Sequence, residues 1–132
     1  MSNVDAFSRE LDEWYDREVE QRILQLLRLI GMEVLRRLVL KSPVDTGRFR
    51  GNWSVAIGAA DTSEKDTTDK SGQATIQAGT AVVSGLSKAQ AIWLTNNLPY
   101  AERIENGWSQ QAPAGVVAVT IAEIEAFFAR VS

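Results

Sequence analysis

The chain has 132 residues, of which 45% are hydrophobic and 23% are charged, and its net charge is −3. This length predicts one domain, and the composition is that of a globular protein rather than a disordered chain. Histidine and cysteine are both absent, which excludes Ser-His and Cys-His nucleophile pairs, disulfides and thiolate zinc sites. Carboxylates, Lys, Tyr and hydroxyls remain for catalysis and oxygen ligands remain for metals, so the composition favours a structural or binding protein. For the sequence as a whole we expect no catalytic residue, cofactor or metal site.

The charges are unevenly distributed. Residues 1–20 hold seven acids and two bases (−5), residues 21–50 hold seven bases and two acids (+5), and residues 51–132 hold five bases and eight acids (−3). This alternation favours head-to-tail pairing between copies, although a solvated helix with charges round its outer face also explains it. The chain is not basic enough for strong binding to DNA phosphates, and we expect neither a signal peptide nor a membrane span.

The segment from about Asp5 to Lys41 predicts one long helix, roughly 55 Å in length at 1.5 Å per residue. Its apolar residues recur mostly at steps of three or four: Phe7, Leu11, Trp14, Ile23, Leu27, Ile30, Val34 and Leu38. The second half, from Ile23 to Leu40, is apolar on more than one face, so we expect it to cross the core while residues 1–20 project. The alternative is a break near residues 17–20 that folds the first part back on the domain.

A proline and a tight turn follow this helix. Pro43 ends the helix, and Asp45-Thr46-Gly47 predicts a turn with an Asx-type acceptor and a glycine able to take positive φ. We expect a strand to begin near Arg48, with one face formed by Trp53, Val55 and Ile57. Residues 59–72 hold no large apolar side chain and predict a flexible loop.

Three further elements follow the loop. Ser71 predicts the cap of a helix over Ala74–Ser84, although the periodicity alone also allows a strand. Ala91–Thr95 predicts a short buried strand, which gives a right-handed crossover if the two strands are parallel; antiparallel pairing stays open. Asn97 and Pro99 then predict the cap and first position of a short helix that ends at Gly107.

The last predicted helix runs from about Pro113 to residue 131 and is amphipathic. Its apolar face comprises Val117, Ile121, Ile124, Phe128 and Val131. The prediction for residues 1–132 is therefore a single α+β domain: a long N-terminal helix, a small β-sheet with covering helices, and a C-terminal amphipathic helix.

Two local patterns suggest chemistry. Asp45-Thr46-Gly47 matches the triplet of retroviral-type aspartic proteases, but such a site needs paired carboxylates in an all-β fold, so a structural turn is favoured. Glu102 and Glu105 lie three apart on a predicted helix, where a solvated face or an ion pair is favoured over a metal or acid–base site. Five apolar or aromatic residues are candidate interface anchors instead: Phe7, Leu11, Trp14, Tyr15 and Trp108.

Two segments read together resemble a known family. The first is KSPVDTGRFRGNW, residues 41–53, after the long helix, and the second is NNLPYAERIENGWS, residues 96–109, followed by QAPAG at residues 111–115. Both are similar to the tail-completion, or neck, proteins of long-tailed bacteriophages, and the resemblance spans roughly residues 20–120. The matching positions that carry it are Pro43, Asp45, Thr46, Gly47, Arg48, Asn52, Trp53, Asn96, Pro99, Tyr100, Glu105 and Gly107.

The resemblance implies a virion structural protein assembled in the host bacterial cytoplasm. Its copies would form a ring, a hexamer in the family's pattern, between the tail tube or terminator protein and the head-closure protein. Genomic DNA would pass through the lumen without specific binding. The matching residues would shape the turn and hold the helix-turn opposite it, and an Arg48–Glu105 ion pair is a hypothesis from these motifs.

Three alternatives remain beside this reading. A tail terminator or another head–tail connector belongs to the same class of virion proteins. A hydrolase acting through carboxylates, or a regulatory module that uses the N-terminal helix as a coiled coil, belongs to a different class.

Overall fold

A computed structural model describes residues 3–131 of the chain, and it has the predicted α+β architecture. A long N-terminal helix is followed by a two-stranded sheet with short helices around it and by a C-terminal helix. The elements in chain order are α1 (Asn3–Lys41), α2 (Arg48–Gly51), β1 (Trp53–Ile57), α3 (Gln73–Ser84), β2 (Ile92–Asn96), α4 (Ala101–Glu105) and α5 (Val117–Val131).

The first helix is continuous, so the alternative break near residues 17–20 is wrong. Every residue from 3 to 23 is exposed, and Leu24 is the first buried one. We call residues 3–23 the arm; at 1.5 Å per residue it is about 30 Å long. The single glycine of α1, Gly31, lies where a Cβ atom would come within 3.2 Å of Ile92 and 3.3 Å of Val83. Gly31 thus allows close packing in the middle of α1 at a modest cost in helix propensity.

The hydrophobic core lies against one face of the second half of α1. Leu35 and Val39 are fully buried and belong to one cluster with residues of α2, β1 and the segments around α4, and Ile76 of α3 and Leu94 of β2 pack against it. The other buried members of this cluster are Leu38, Phe49, Trp53, Leu98, Ile104, Ala112 and Val116. The expectation that this half crosses the core is therefore wrong in one respect, because Leu26, Leu29 and Leu40 remain 41–49% exposed on the other side.

The two strands pair antiparallel, with Trp53 opposite Asn96 and Ile57 opposite Ile92, so the parallel crossover does not occur. The second strand is half-buried rather than fully buried, and Trp93 is 44% exposed. A strand in a two-stranded sheet has one face for the core and one for solvent, and this accounts for the difference.

The starts of β1 and α5 differ from the sequence prediction. The first strand begins at Trp53 rather than near Arg48, because Gly47 takes a left-handed conformation and its carbonyl accepts the Gly51 N–H at 2.9 Å, forming α2. The last helix begins at Val117 rather than at Pro113, after a turn at Gly115 with φ of 85°.

The packed face of α5 also differs from the predicted one. Val117 and Ile121, predicted to face the core, are 39% and 53% exposed, whereas Thr120 is buried. On the packed side, Glu123 pairs with Lys41 and Arg37 of α1, and the Arg37 guanidinium lies 5.7 Å from the centre of the Phe127 ring. The Val131 side chain, predicted on the apolar face, lies outside the described residues.

Within residues 3–131, no helix is both long and apolar enough to cross a membrane.

Candidate functional site

The Asp45-Thr46-Gly47 triplet forms the predicted turn, and its glycine is required there. Gly47 has φ of 88°, and a Cβ atom at this position would lie 2.6 Å from the backbone nitrogen of Lys70. The side-chain acceptor of the turn is the Thr46 hydroxyl, which accepts the Arg48 N–H at 3.2 Å, and the Asp45 side chain is exposed. The triplet thus lets the 59–72 loop lie directly on the turn.

Trp53 fixes β1 to the end of α1. Its indole N–H donates to the Ser42 hydroxyl at 2.7 Å, and that hydroxyl donates to the Leu38 carbonyl at 2.6 Å. Ser42 and Trp53 are both buried, so each polar group in this chain of bonds has its partner. Pro43 follows directly and keeps α1 from continuing past Lys41.

Arg50 holds the same end of α1, and the sequence analysis did not single it out. Its guanidinium donates to the carbonyls of Leu40 and Ser42 at 3.1 and 2.8 Å, and to the Lys70 carbonyl at 2.9 Å. A cation at unpaired carbonyls of a helix C-terminus is favourable, because these carbonyls carry the negative end of the helix dipole. A basic residue shortly after a predicted helix end is the signal that could have found it.

Asn52 anchors the 59–72 loop. Its side-chain N–H group donates to the carbonyls of Arg48 and Lys65 at 2.7 and 3.0 Å, and its side-chain oxygen accepts the Lys65 N–H at 2.8 Å. The residue is 1% exposed, so its amide holds the loop from inside the protein. The loop contains no helix or strand over residues 59–70.

Arg48 points to the same loop. Its guanidinium lies 2.7 Å from a Glu64 carboxylate oxygen and 3.8 Å from one of Asp66. Glu105 instead accepts backbone N–H groups of residues 116–118. The hypothetical Arg48–Glu105 ion pair is therefore wrong, because each partner is used elsewhere.

The two motifs meet in space through Asn96. Its side-chain N–H group donates to the Phe49 carbonyl at 2.9 Å, and its side-chain oxygen accepts the Leu98 N–H at 3.3 Å. The Phe49 ring lies 5.9 Å from the Trp53 ring, edge-on, and 6.2 Å from the Tyr100 ring. We call residues 42–53 together with residues 96–107 the motif cluster.

Asn97 does not cap the next helix, contrary to the prediction. Its side chain donates to the carbonyls of Asp61 and Ser63 at 2.8 and 3.0 Å, so it holds the loop. The short helix α4 starts two residues after Pro99, with Tyr100 at the cap position. Pro99 is exposed in the preceding turn.

Glu105 caps α5 from a distance. Its carboxylate accepts the N–H groups of Val116, Val117 and Ala118 at 2.8, 2.7 and 3.0 Å. Burial raises the pKa of the Glu105 carboxyl, but the hydrogen bonds from Val117, Ala118 and Val116 outweigh it, so the pKa lies below its ordinary value. The carboxylate stabilises the positive end of a helix rather than a metal or a substrate.

Gly107 completes this arrangement. It ends α4 as predicted, with φ of 85°, and a Cβ atom there would lie 2.5 Å from the Pro113 carbonyl oxygen. The segment after α4 therefore folds back tightly enough to bring the start of α5 to Glu105.

Asp69 caps the N-terminus of α3, a role that was predicted for Ser71. One carboxylate oxygen accepts the Gly72 N–H at 3.1 Å, and the other accepts both the N–H and the hydroxyl of Thr75 at 2.8 and 2.7 Å. Burial raises the pKa of Asp69, but these bonds outweigh it and leave the pKa lowered. Ser71 accepts only the Gln73 N–H, at 3.2 Å.

An open groove of about 600 Å³ lies between the two motifs. Phe49, Tyr100 and Ile104 contribute to its lining, and Trp108 beside them is 74% exposed. Gln111 holds one wall, since its side chain accepts the Val44 N–H at 2.9 Å and donates to the Val44 carbonyl at 3.1 Å. This pairing of Gln111 with the Val44 backbone was not predicted from the sequence.

The other candidate interface residues lie apart from the groove, on the arm. Their exposed fractions are 60% for Phe7, 48% for Leu11, 55% for Trp14 and 63% for Tyr15. The structure therefore brings the motif residues together and leaves the predicted interface residues of the arm at the surface.

Nothing in the described part of the chain assembles a catalytic centre from the two suggestive patterns. Asp45 is exposed between two helices, not in the all-β setting that an aspartic protease requires. Glu102 is exposed while Glu105 is used as a cap. Residues 3–131 contain no group of three or more acids that could hold a metal ion.

The comparison with known families agrees with the motifs. The family model described as "Bacteriophage HK97-gp10, putative tail-component" matches residues 5–107. The match begins within the arm, at residue 5, about fifteen residues before the span of the motif resemblance, and it ends before α5. No curated protein and no solved structure matches the chain. Since the family model covers well over half of the sequence, the chain belongs to the HK97-gp10-like family of bacteriophage tail components.

Proposed function

We propose that this chain is the tail-completion, or neck, protein of a long-tailed bacteriophage. Copies of it form a ring, with six subunits as the expected number, between the tail tube or terminator protein and the head-closure protein. The ring finishes the tail and provides the surface to which the DNA-filled head is joined. It works by position and contact, without catalysis, in a virion assembled in the bacterial cytoplasm.

The observation that carries the proposal is the exposed apolar arm on a member of a tail-component family. The aromatic residues Phe7, Trp14 and Tyr15 are all more than half exposed. Large apolar side chains collected on one projecting element are typical of protein–protein interfaces. A subunit whose work is to join neighbours needs such a surface.

The charges fit a ring through which DNA passes freely. The chain is acidic overall, with a net charge of −3, and most bases of residues 21–50 are bonded within the chain. These are Arg28, Arg37, Lys41, Arg48 and Arg50. Two of the seven bases in this most basic segment are thus left to neutralise phosphates, so strong binding to DNA is not expected.

The proposal is tested in a phage that lacks this chain, with the wild-type gene supplied from a plasmid as the control. We expect filled heads and tails of normal length that fail to join, seen by electron microscopy, and joining restored by purified protein. Joined particles without the chain would contradict the proposal. Tails of uncontrolled length would assign the chain as the terminator instead, since a terminator stops growth of the tube.

A further inference from the structure

α1 carries a second apolar face, opposite to the face that packs on the domain. Its members are all 38–71% exposed and recur at spacings that place them along one side of the helix. We call them the outward stripe: Val4, Phe7, Leu11, Trp14, Tyr15, Val19, Leu26, Leu29 and Leu40.

The chain's own domain cannot cover this stripe. In the second half of α1, an outward residue lies two positions from a buried one, as Leu26 does from Leu24 and Leu40 from Leu38. Two positions correspond to about 200° around a helix, so the two residues point to opposite sides. The core packs on the buried side, and the outward stripe faces away from it along the whole helix.

The stripe has two parts of nearly equal length. The part on the arm runs from Val4 to Val19 and is about 22 Å long, and the part on the second half runs from Leu26 to Leu40 and is about 21 Å long. The arm of one copy therefore matches in length the apolar surface that another copy leaves uncovered.

The charges beside the two parts are opposite. On the arm, Glu18 lies on the side of the stripe and Glu10 and Asp12 lie along its two edges, whereas the acids Glu13, Asp16 and Glu20 point away from it. On the second half, Arg36 is exposed and lies on the same side of the helix as Leu29 and Leu40, while the acid on that side, Glu33, is already paired with Arg37. An arm laid on this surface thus brings acids to an exposed base, whereas an arm laid on another arm brings acids to acids.

The surface available is large enough for a specific contact. The side chains of the stripe expose on the order of 900 Å² of apolar surface, judged from the area that such side chains offer when fully exposed. With the charged side chains beside them, pairing of the two parts buries roughly 1,200 Å², the lower end of the range for stable interfaces.

We infer that the arm of one copy packs along the second half of α1 in the next copy, stripe on stripe. Each copy then gives its arm to one neighbour and receives the arm of the other, which is the head-to-tail type of contact from which rings are built. The inference rests on the proposed ring and names the surface that holds it together.

The test uses two double variants of the full chain. The arm variant carries Leu11→Glu and Trp14→Glu, and the acceptor variant carries Leu26→Glu and Leu29→Glu. All four positions are exposed, so both variants keep the fold, which circular dichroism verifies. The control Ala6→Glu adds an acid on the side of the arm away from the stripe.

Masses are measured by sedimentation velocity at about 100 μM, a concentration at which a specific interface of this size is populated. We expect the wild type and Ala6→Glu to form closed oligomers and each double variant alone to be monomeric. An equal mixture of the two double variants forms a one-to-one dimer, because one supplies an intact arm and the other an intact acceptor. A monomeric wild type, variants that assemble normally, or a mixture that stays monomeric would each overturn the inference.

This outcome is separable from that of the phage experiment. If the wild-type chain restores head–tail joining while both double variants assemble and join normally, the arm contact is wrong and the proposed function stands. If joining does not depend on the chain at all, the proposed function is wrong whatever the variants do.

Discussion

The arm and the motif cluster each hold one phenylalanine, one tryptophan and one tyrosine, but they use them in opposite ways. Phe49 and Trp53 are buried and lie within 6 Å of each other, with Tyr100 packed against the same core. The three aromatic residues of the arm are 55–63% exposed. The same residue types thus hold the fold together in one region and leave a surface for another chain in the other.

This contrast divides the residues into two groups: those that stabilise their own subunit and those that are exposed for contact with another chain. A motif residue is restrained by hydrogen bonds and packing inside its own subunit, so its loss is felt by the isolated monomer. An arm residue is not packed in the core of its own subunit, so we expect its loss to affect only the proposed contact between copies. Stability of the monomer and assembly are therefore expected to respond to different substitutions.

The most direct test of this comparison is to replace a tryptophan by alanine in each of the two regions. Trp53→Ala removes a buried indole and its bond to Ser42, and we expect a loss of about 3–5 kcal/mol in the free energy of unfolding. Trp14→Ala removes an exposed side chain, and we expect a change within about 0.5 kcal/mol. Urea denaturation followed by circular dichroism at low protein concentration measures both. Equal losses would mean that the arm folds against its own domain.

Asn52→Ala tests whether the motif cluster holds the 59–72 loop. The substitution removes three hydrogen bonds to Arg48 and Lys65 from a buried site, and we expect a loss of about 2 kcal/mol. Asn106→Ala, at an exposed position, is the matched control and should change little. Proteolysis measures the consequence directly, since the loop of the Asn52 variant should be cut faster. A loop cut at the wild-type rate would show that other contacts hold it.

Glu105→Ala tests the cap on α5, with Glu102→Ala at an exposed position as the control. We expect the first to cost about 1–2 kcal/mol at neutral pH and the second to cost little. Because hydrogen bonds to the carboxylate lower the pKa of Glu105 in the folded state, its stabilisation is complete above the ordinary glutamate range. It is lost as the pH falls through the lowered pKa. Denaturation curves from neutral to acidic pH check this, and a difference independent of pH would show that the charge is not involved.

The long elements were predictable from the sequence, and the partners of single polar residues were not. Periodicity located α1 and α5 because each presents an apolar side over several turns, whereas for α3 it also allowed a strand. It missed α2, since four residues are too short for a periodic pattern. It also could not distinguish the two apolar faces of α1, because a core face and an interface face have the same composition.

The helix caps of the candidate site show the same limit of prediction from sequence. Ser71 and Asn97 are good cap residues by local rules, yet Asp69 caps α3 in place of Ser71, and Tyr100 rather than Asn97 lies at the cap position of α4. Glu105 caps α5, for which no cap residue was predicted. Glu105 lies eleven to thirteen residues before the N–H groups that it accepts, so only the fold brings these donors to the carboxylate. The motifs were recognised as a pattern, but the bonds that connect them through Asn96 required the structure.

The smallest effect is expected where the loop is attached by charge alone. Glu64→Gln removes the ion pair with Arg48, whose side chains are 37% and 43% exposed, and water and salt weaken such pairs. We therefore expect a loss below about 0.5 kcal/mol, decreasing further as salt is added. Denaturation at low and high salt measures it beside Asn52→Ala. Since Asn52 and Arg48 reach the same loop, a larger loss for Glu64→Gln than for Asn52→Ala would place the attachment at the surface. A larger loss for Asn52→Ala would show instead that the loop is attached through the buried side-chain amide of Asn52, in the motif cluster.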